Sequence, residues 1–317
     1  MRLFLFVVIS SVFIIADPVM AQDGAPKAAA LERMSAQKHF QEGTDLLESK
    51  QGDLGVAHLS EAVRLKPDFR EAWYNLGLAY SGRGGRDSGE KEIFAYRKAI
   101  SIDPRYSKAY FNLGVCYEEK GDLEKAERAY RKAASLDERD FGARMNLGVV
   151  LADQNRLKEA SKYYEEALEI NDQVPDLHFN LGRVYTRVGD GVPGPEARKY
   201  YEMALDRYAQ ALKLKPNMYK AEYNSGLVLH MLGRTEEEIE AFKRALALRA
   251  RYPQALYNLA YTFESVHRYE DALVYWERYV KIAEKVPTER AYVPAARRAI
   301  LRLRAVVQGE SIDEDEP

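Results

Sequence analysis

The chain has 317 residues, 47 basic against 49 acidic, a formal net charge of −2 and no basic block. A nucleic-acid groove needs a strong positive excess to release counterions, so that class of partner is disfavoured. The one cysteine, Cys116, excludes an internal disulfide and reads as a small buried apolar residue on a helix.

At the N-terminus Arg2 precedes a 14-residue apolar run, Leu3 to Ala16, and Val19-Met20-Ala21 then places small residues where a signal peptidase reads. Fourteen helical residues span about 21 Å, short of the roughly 30 Å hydrocarbon core. Residues 1–21 are therefore expected to be a signal peptide cleaved before Gln22, with an uncleaved N-terminal membrane anchor as the alternative. No cysteine follows Ala21, so the acylation site of a bacterial lipoprotein is missing. The expected location is exported and periplasmic, with no stable membrane span after cleavage. Residues 22–35 form a polar-to-alanine-rich lead-in that joins the first helix.

From there one tripeptide governs the chain. Asn-Leu-Gly stands at Asn75, Asn112, Asn146 and Asn180, with weaker copies at Asn224-Ser225-Gly226 and Asn258-Leu259-Ala260. The steps between the asparagines are 37, 34, 34, 44 and 34 residues. A period near 34 predicts a stacked-repeat architecture. Aligning the glycine frames seven units, 36–69, 70–106, 107–140, 141–174, 175–218, 219–252 and 253–286. Each holds two apolar-periodic segments, read as amphipathic helices. Gly121-Asp122 or Asn155-Arg156 breaks the pair in the middle, and Pro67, Pro104 and Pro216 close three of the second helices.

Within a unit the small residue of the first helix is Gly43, Gly77, Gly114, Gly148, Gly182, Gly226 or Ala260. The second helix carries a small residue (Gly55, Ala126, Ala160, Ala204, Ala272) and, four on, a ring (Tyr96, Tyr130, Tyr164, Tyr208, Phe242, Trp276). Helices crossing at the short end of the 8–10 Å range need glycine or alanine at the contact, with large rings beside it. This pattern resembles the tetratricopeptide repeat family over residues 36–286. The resemblance implies an all-α, right-handed α-solenoid of stacked antiparallel helix pairs, about seven units and a C-terminal capping helix.

Departures from the pattern are informative. Glu92 and Glu238 occupy the small second-helix position in units two and six, where a buried carboxylate is costly, so those units are expected to pack more loosely. Unit two gains three residues in the turn SGRGGRDSGE. Unit five gains ten; after GDGVP, the run from Pro195 to Lys215 contains two overlapping registers, Ala197/Tyr201/Ala204 and Ala204/Tyr208/Ala211. It predicts a second helix lengthened by about two turns, to about 31 Å. Residues 287–308 are read as the capping helix and 309–317 as a disordered acidic tail.

Catalysis finds no support. None of the five histidines, His39, His58, His178, His230 and His267, shares a helix with another at ligand spacing, and no nucleophile elbow, phosphate loop or CxxC is present. No enzyme, cofactor or metal ligand is expected. The resemblance implies instead a concave groove lined by first helices that binds segments of other proteins. Asn75, Asn112, Asn146, Asn180, Asn224 and Asn258 lie one helical position from the packing leucine, bordering that groove. A carboxamide donates and accepts, so it can pair with a peptide backbone without reading side chains. The row resembles the asparagine ladder in the repeat arm of O-linked N-acetylglucosamine transferase; service to neighbouring helices is the alternative. Tyr74, Phe111, Met145, Phe179, Tyr223 and Tyr257 precede each asparagine, and Leu78, Val115, Val149, Arg183, Leu227 and Tyr261 follow each leucine or its equivalent by two, giving an apolar floor with an amide rim unless the rings pack between units. Glu118, Glu119 and Asp153 make units three and four acidic, while Arg183, Arg187 and Lys220 make five and six basic. The family's chaperone-tail clamp needs lysine where Tyr74 or Phe111 stands and asparagine where Leu78 stands, which disfavours that ligand.

The expected function is a non-catalytic scaffold of the cell envelope binding an extended peptide. Two alternatives stay open: an envelope assembly factor for pilus, outer-membrane or cell-wall machinery, acting through its convex face and the long unit-five helix, or the regulatory arm of a separate enzyme. The sequence names neither partner nor oligomeric state.

Overall fold

The computed structural model describes the backbone of residues 24–81 and 86–308, and side chains from residue 35 with the exception of 82–87. The expected signal peptide, the acidic tail and the tip of the unit-two turn lie outside the described residues. Among the described residues the chain is an all-α repeat solenoid of fifteen helices without a strand. None of these helices is long and apolar enough to cross a membrane.

Two compact units divide the chain, residues 1–104 and 105–317. The first contains α1 (Gly24–Glu48), α2 (Gly52–Leu65), α3 (Arg70–Ser81) and α4 (Arg86–Ile102). Each helix packs on the next, and α1 also touches α3. The lead-in is continuous with the first helix, which begins at Gly24. The second unit holds α5 (Ser107–Glu119), α6 (Leu123–Leu136), α7 (Phe141–Asp153), α8 (Leu157–Ile170), α9 (Pro175–Asp190), α10 (Gly194–Leu214), α11 (Tyr219–Leu232), α12 (Thr235–Leu248), α13 (Pro253–Ser265), α14 (Tyr269–Ala283) and α15 (Val293–Gln308). Here too consecutive helices pack, and α7 touches α9 as α9 touches α11. The first helices of units four to six thus form one continuous face.

The helix ends follow local chemistry. α2, α4 and α10 stop two residues before Pro67, Pro104 and Pro216. Gly121 and Gly233 turn the chain between paired helices at φ +75° and +71°. Lys50, Asn155 and His267 do the same with a side chain at φ near +60°. The capping helix starts at Val293, later than expected, because a 3₁₀ turn takes up Arg290–Tyr292 and Pro294 suits a first helical turn.

The core is a series of crossings between glycine and ring. A Cβ on Gly148 would sit 2.6 Å from Tyr164, and one on Gly114 2.6 Å from Tyr130. These rings are almost wholly buried. Unit five repeats the crossing: Gly182 meets Tyr208, and Gly189, seven residues later, meets Tyr201, seven residues earlier on α10. The insertion therefore lengthens both arms of an antiparallel pair, not the second helix alone. Unit six is not looser as expected, since Gly226 approaches Phe242 as tightly as the others. Glu238 is only 3% exposed but is satisfied by the Thr262 hydroxyl at 2.5 Å and by His230 Nδ1 at 3.2 Å.

Candidate functional site

Each asparagine precedes the buried residue that packs against the neighbouring helices, Leu76, Leu113, Leu147, Leu181, Ser225 or Leu259. One residue is about 100° of helix, which puts all six amides at the edge of the packed face, half-buried. Their engagement differs. Asn75 Nδ2 donates to Thr44 Oγ1 at 3.0 Å, Asn146 Nδ2 to the Tyr130 hydroxyl at 3.3 Å and Asn258 Nδ2 to the Tyr223 hydroxyl at 3.1 Å. Asn112 is also engaged. Asn180 and Asn224 take no hydrogen-bond partner among the described residues. The row is thus part structural and part open, and its open members are neighbours on α9 and α11.

The aromatic floor needs correcting. Tyr74, Phe111, Phe179, Tyr223 and Tyr257 lean on the second-helix ring of their own unit, with centroids 5.8, 5.8, 5.9, 5.7 and 4.9 Å from Tyr96, Tyr130, Tyr208, Phe242 and Trp276. A helical side chain reaches back over the preceding turn, which brings these rings onto the crossing, and Tyr223 meets the amide row only through its hydroxyl, at Asn258. Tyr74 is buried, at 8% exposure; the other four are half-buried.

The two expected arginines also part company. Arg187 donates through Nη1 to the Ala152 carbonyl at 3.0 Å and through Nη2 to Asn155 Oδ1 at 2.9 Å, so it caps the end of α7 and is not a free ligand contact. Arg183 is exposed, its guanidinium 6.0 Å above the Phe179 ring. On the acidic side Glu118 accepts from the Tyr130 hydroxyl at 2.8 Å. Burial pushes its carboxyl above the ordinary range, with Asp153 and Glu119 adding repulsion against that hydrogen bond. Burial likewise holds the Tyr130, Tyr164 and Tyr208 phenols neutral.

What remains accessible has a pattern. Among the described residues, the large apolar side chains left exposed on first helices are Leu78, Met231 and Tyr261, at 39%, 59% and 53%. They follow Asn75, Asn224 and Asn258 by three, seven and three residues, so each shares the asparagine's helical face. Arg183 stands three after Asn180 in the same way. Sequence reading missed Met231; its signal was the seven-residue spacing, two turns beyond the amide. A second concavity, of about 640 Å³, lies against the lengthened α10 between Tyr185, Pro195, Arg198, Lys199, Glu202, Met203, Asp206 and Arg207.

Models of the tetratricopeptide repeat match residues 40–87, 95–128, 150–189 and 195–255. The chain is 30% identical over 105 residues to the photosystem I assembly protein Ycf3 of Acaryochloris marina (strain MBIC 11017). That match takes in 33% of this chain and 45% of the other, so the chain spans less than half the length of the curated relative it matches. Among solved structures it is similar to YrrB, described as a TPR protein with an unusual peptide-binding site, at 21% identity and TM-score 0.56 over 63% of this chain and 96% of that one. The C-terminal part of a TPR repeat-containing protein from Cytophaga hutchinsonii gives 14% identity and TM-score 0.63 over 80% and 98%. PilF of Pseudomonas aeruginosa gives 16% and 0.57 over 72% and 98%. At these identities the likeness concerns the fold.

Proposed function

We propose that this chain, which belongs to the tetratricopeptide repeat family, is a non-catalytic scaffold of the cell envelope that holds an extended segment of another protein against the asparagine face of its first helices. The observation that carries the reading is that Met231 and Tyr261, exposed on α11 and α13, stand on the turns of Asn224 and Asn258, next to the open amides of Asn180 and Asn224. Asn180 and Asn224 supply open amides, and first helices about 10 Å apart match about three residues of extended chain at 3.3 Å each. Arg183 beside Asn180 favours an acidic residue of the ligand at that point. Peptide binding by the similar YrrB is consistent with this use of the fold. The envelope location rests on the expected signal peptide.

A photo-crosslinking residue placed at Tyr261 or Met231 is expected to trap a partner segment, while one at Val274, equally exposed on the second helix α14, traps none. The cleft along α10 favours a second reading, in which the unit-five extension is the docking surface of an assembly factor. Crosslinks from Lys199 with none from Met231 or Tyr261 would establish that reading and displace the first.

A further inference from the structure

The first helix pair brings together three metal-ligand side chains that lie apart in the sequence. α1 carries His39 and Glu42, and α2 carries His58. His39 Nδ1 is 3.2 Å from His58 Nδ1, His58 Nδ1 is 3.0 Å from Glu42 Oε2, and one ligand atom from each residue falls within a 4.8 Å set. Two donors about 2.0–2.1 Å from a tetrahedral ion stand about 3.3 Å apart. The two imidazoles are tilted at 48°, their centroids 5.2 Å apart, and meet through their Nδ1 edges and not by stacking.

The proton count points the same way. If the His58 Nδ1 proton goes to Glu42, it faces His39 Nδ1 as well. If His39 donates to His58, the Glu42 carboxylate confronts a lone pair. A single His58 Nδ1 proton would have to be shared between Glu42 Oε2 and His39 Nδ1, whereas one cation takes a lone pair from each of the three groups. Glu42 turns its other oxygen toward Lys38, 3.8 Å away, leaving Oε2 for the cluster.

The two helices that present these groups are tightly packed. A Cβ on Gly43 would sit 2.8 Å from Leu59, and one on Gly55 2.8 Å from Leu47, so α1 and α2 cross as closely as their backbones allow. Glu42 and His58 are the immediate neighbours of Gly43 and Leu59 in that crossing. Units four to six also place a polar residue where His39 stands (Arg144, His178, Glu222), but there the place of Glu42 holds Leu147, Leu181 or Ser225 and that of His58 holds Tyr163, Arg207 or Ala241, so among the described residues the three ligand types meet only in the first pair. A polar end face alone asks for solvated charge, not for two imidazoles and a carboxylate aimed at one point.

We propose that His39, Glu42 and His58 bind a divalent first-row transition ion of the zinc class, clamping α1 to α2. The imidazole donors select against Mg²⁺ and Ca²⁺. Side-chain exposures of 31% for His58 and 42% for Glu42 leave room for water or a partner's side chain as a fourth ligand. Spacing rules do not find this site because the two histidines are 19 residues apart and on different helices.

The test is calorimetric titration of Zn²⁺ into protein purified without a polyhistidine tag and stripped with a chelator. One ion per chain is expected, with a rise in melting temperature and, for Co²⁺, visible bands of tetrahedral intensity. Loss of an outer-sphere partner weakens a metal site 10–100-fold, so His39→Gln and His58→Gln, checked for folding by circular dichroism, are each expected to weaken binding at least about 100-fold and abolish the Co²⁺ bands. Glu42→Gln weakens it less. Absence of Zn²⁺ binding, unchanged binding in folded His39→Gln/His58→Gln, or equal affinity for Mg²⁺ would overturn the proposal.

Discussion

Replacing Gly148 by alanine tests the crossing on which the repeat is built. The new Cβ would lie 2.6 Å from both Cδ1 and Cε1 of Tyr164. Comfortable carbon contacts are about 3.5–4.0 Å, so the shortfall is about 1 Å. The obstacle is the side of a ring that is 2% exposed, with no flexible end to swing aside. Overpacking of this kind costs about 1–3 kcal/mol. Alanine returns up to about 1 kcal/mol through its better helix propensity, leaving a net loss of about 0–2 kcal/mol. Gly52→Ala is the control, because its Cβ meets nothing within 4 Å and the variant is expected to be neutral or slightly stabilised. A repeat array need not unfold in one step. Urea unfolding followed by circular dichroism should therefore be paired with hydrogen exchange, which is expected to show lost protection first in α7 and α8. Were Gly148→Ala to raise stability as Gly52→Ala does, the close crossing would not exist.

Glu118→Gln reports on burial of charge. Because burial raises its pKa, the folded state holds the Glu118 proton more tightly than the unfolded one, so stability from this group grows as pH falls through the folded pKa and is lost at neutral pH. Glutamine keeps an acceptor for Tyr130 without the charge; the variant is expected to have the higher urea midpoint at about pH 7.5, with the difference vanishing below the ordinary carboxyl value of 4.5, and an equal difference at both pH values would contradict this. Asp140 caps α7 by accepting from the Ala143 amide at 2.9 Å, and Asp140→Ala is expected to lower stability by about 1 kcal/mol in urea unfolding. Arg187→Ala removes two bonds to the end of α7 and is expected to lower stability by about 1–2 kcal/mol with partner affinity unchanged. Arg183→Ala is expected to do the reverse, weakening the partner several-fold in a binding titration with stability unchanged.

Much of the fold was legible because its essential contact uses two residue types that stand out in a helix. Gly148 and Tyr164 are fixed by their spacing, and the same pair recurs from unit to unit. Gly189 escaped notice because it sits in a Gly-Asp string that reads as a turn, although the matching register at Tyr201 was visible. The site was less legible. Asn146 and Asn180 look alike in sequence, yet one reaches the Tyr130 hydroxyl and the other reaches no described partner. That difference depends on where a phenol ends on another helix, and Phe111 and Phe179 are positioned by the same rings. Arg187 read as a groove charge because nothing local reveals the carbonyl of Ala152, 35 residues earlier. Periodicity locates a face; partners across the stack decide which of its residues are free.

The affinity of the crosslinked partner segment for Asn180→Ala/Asn224→Ala bears most directly on the account. Each amide contributes about 0.5–1.5 kcal/mol, so together their loss should weaken binding by between about 5-fold and 150-fold while the melting temperature stays put. An unchanged Kd in the folded double variant would contradict recognition by the asparagine face.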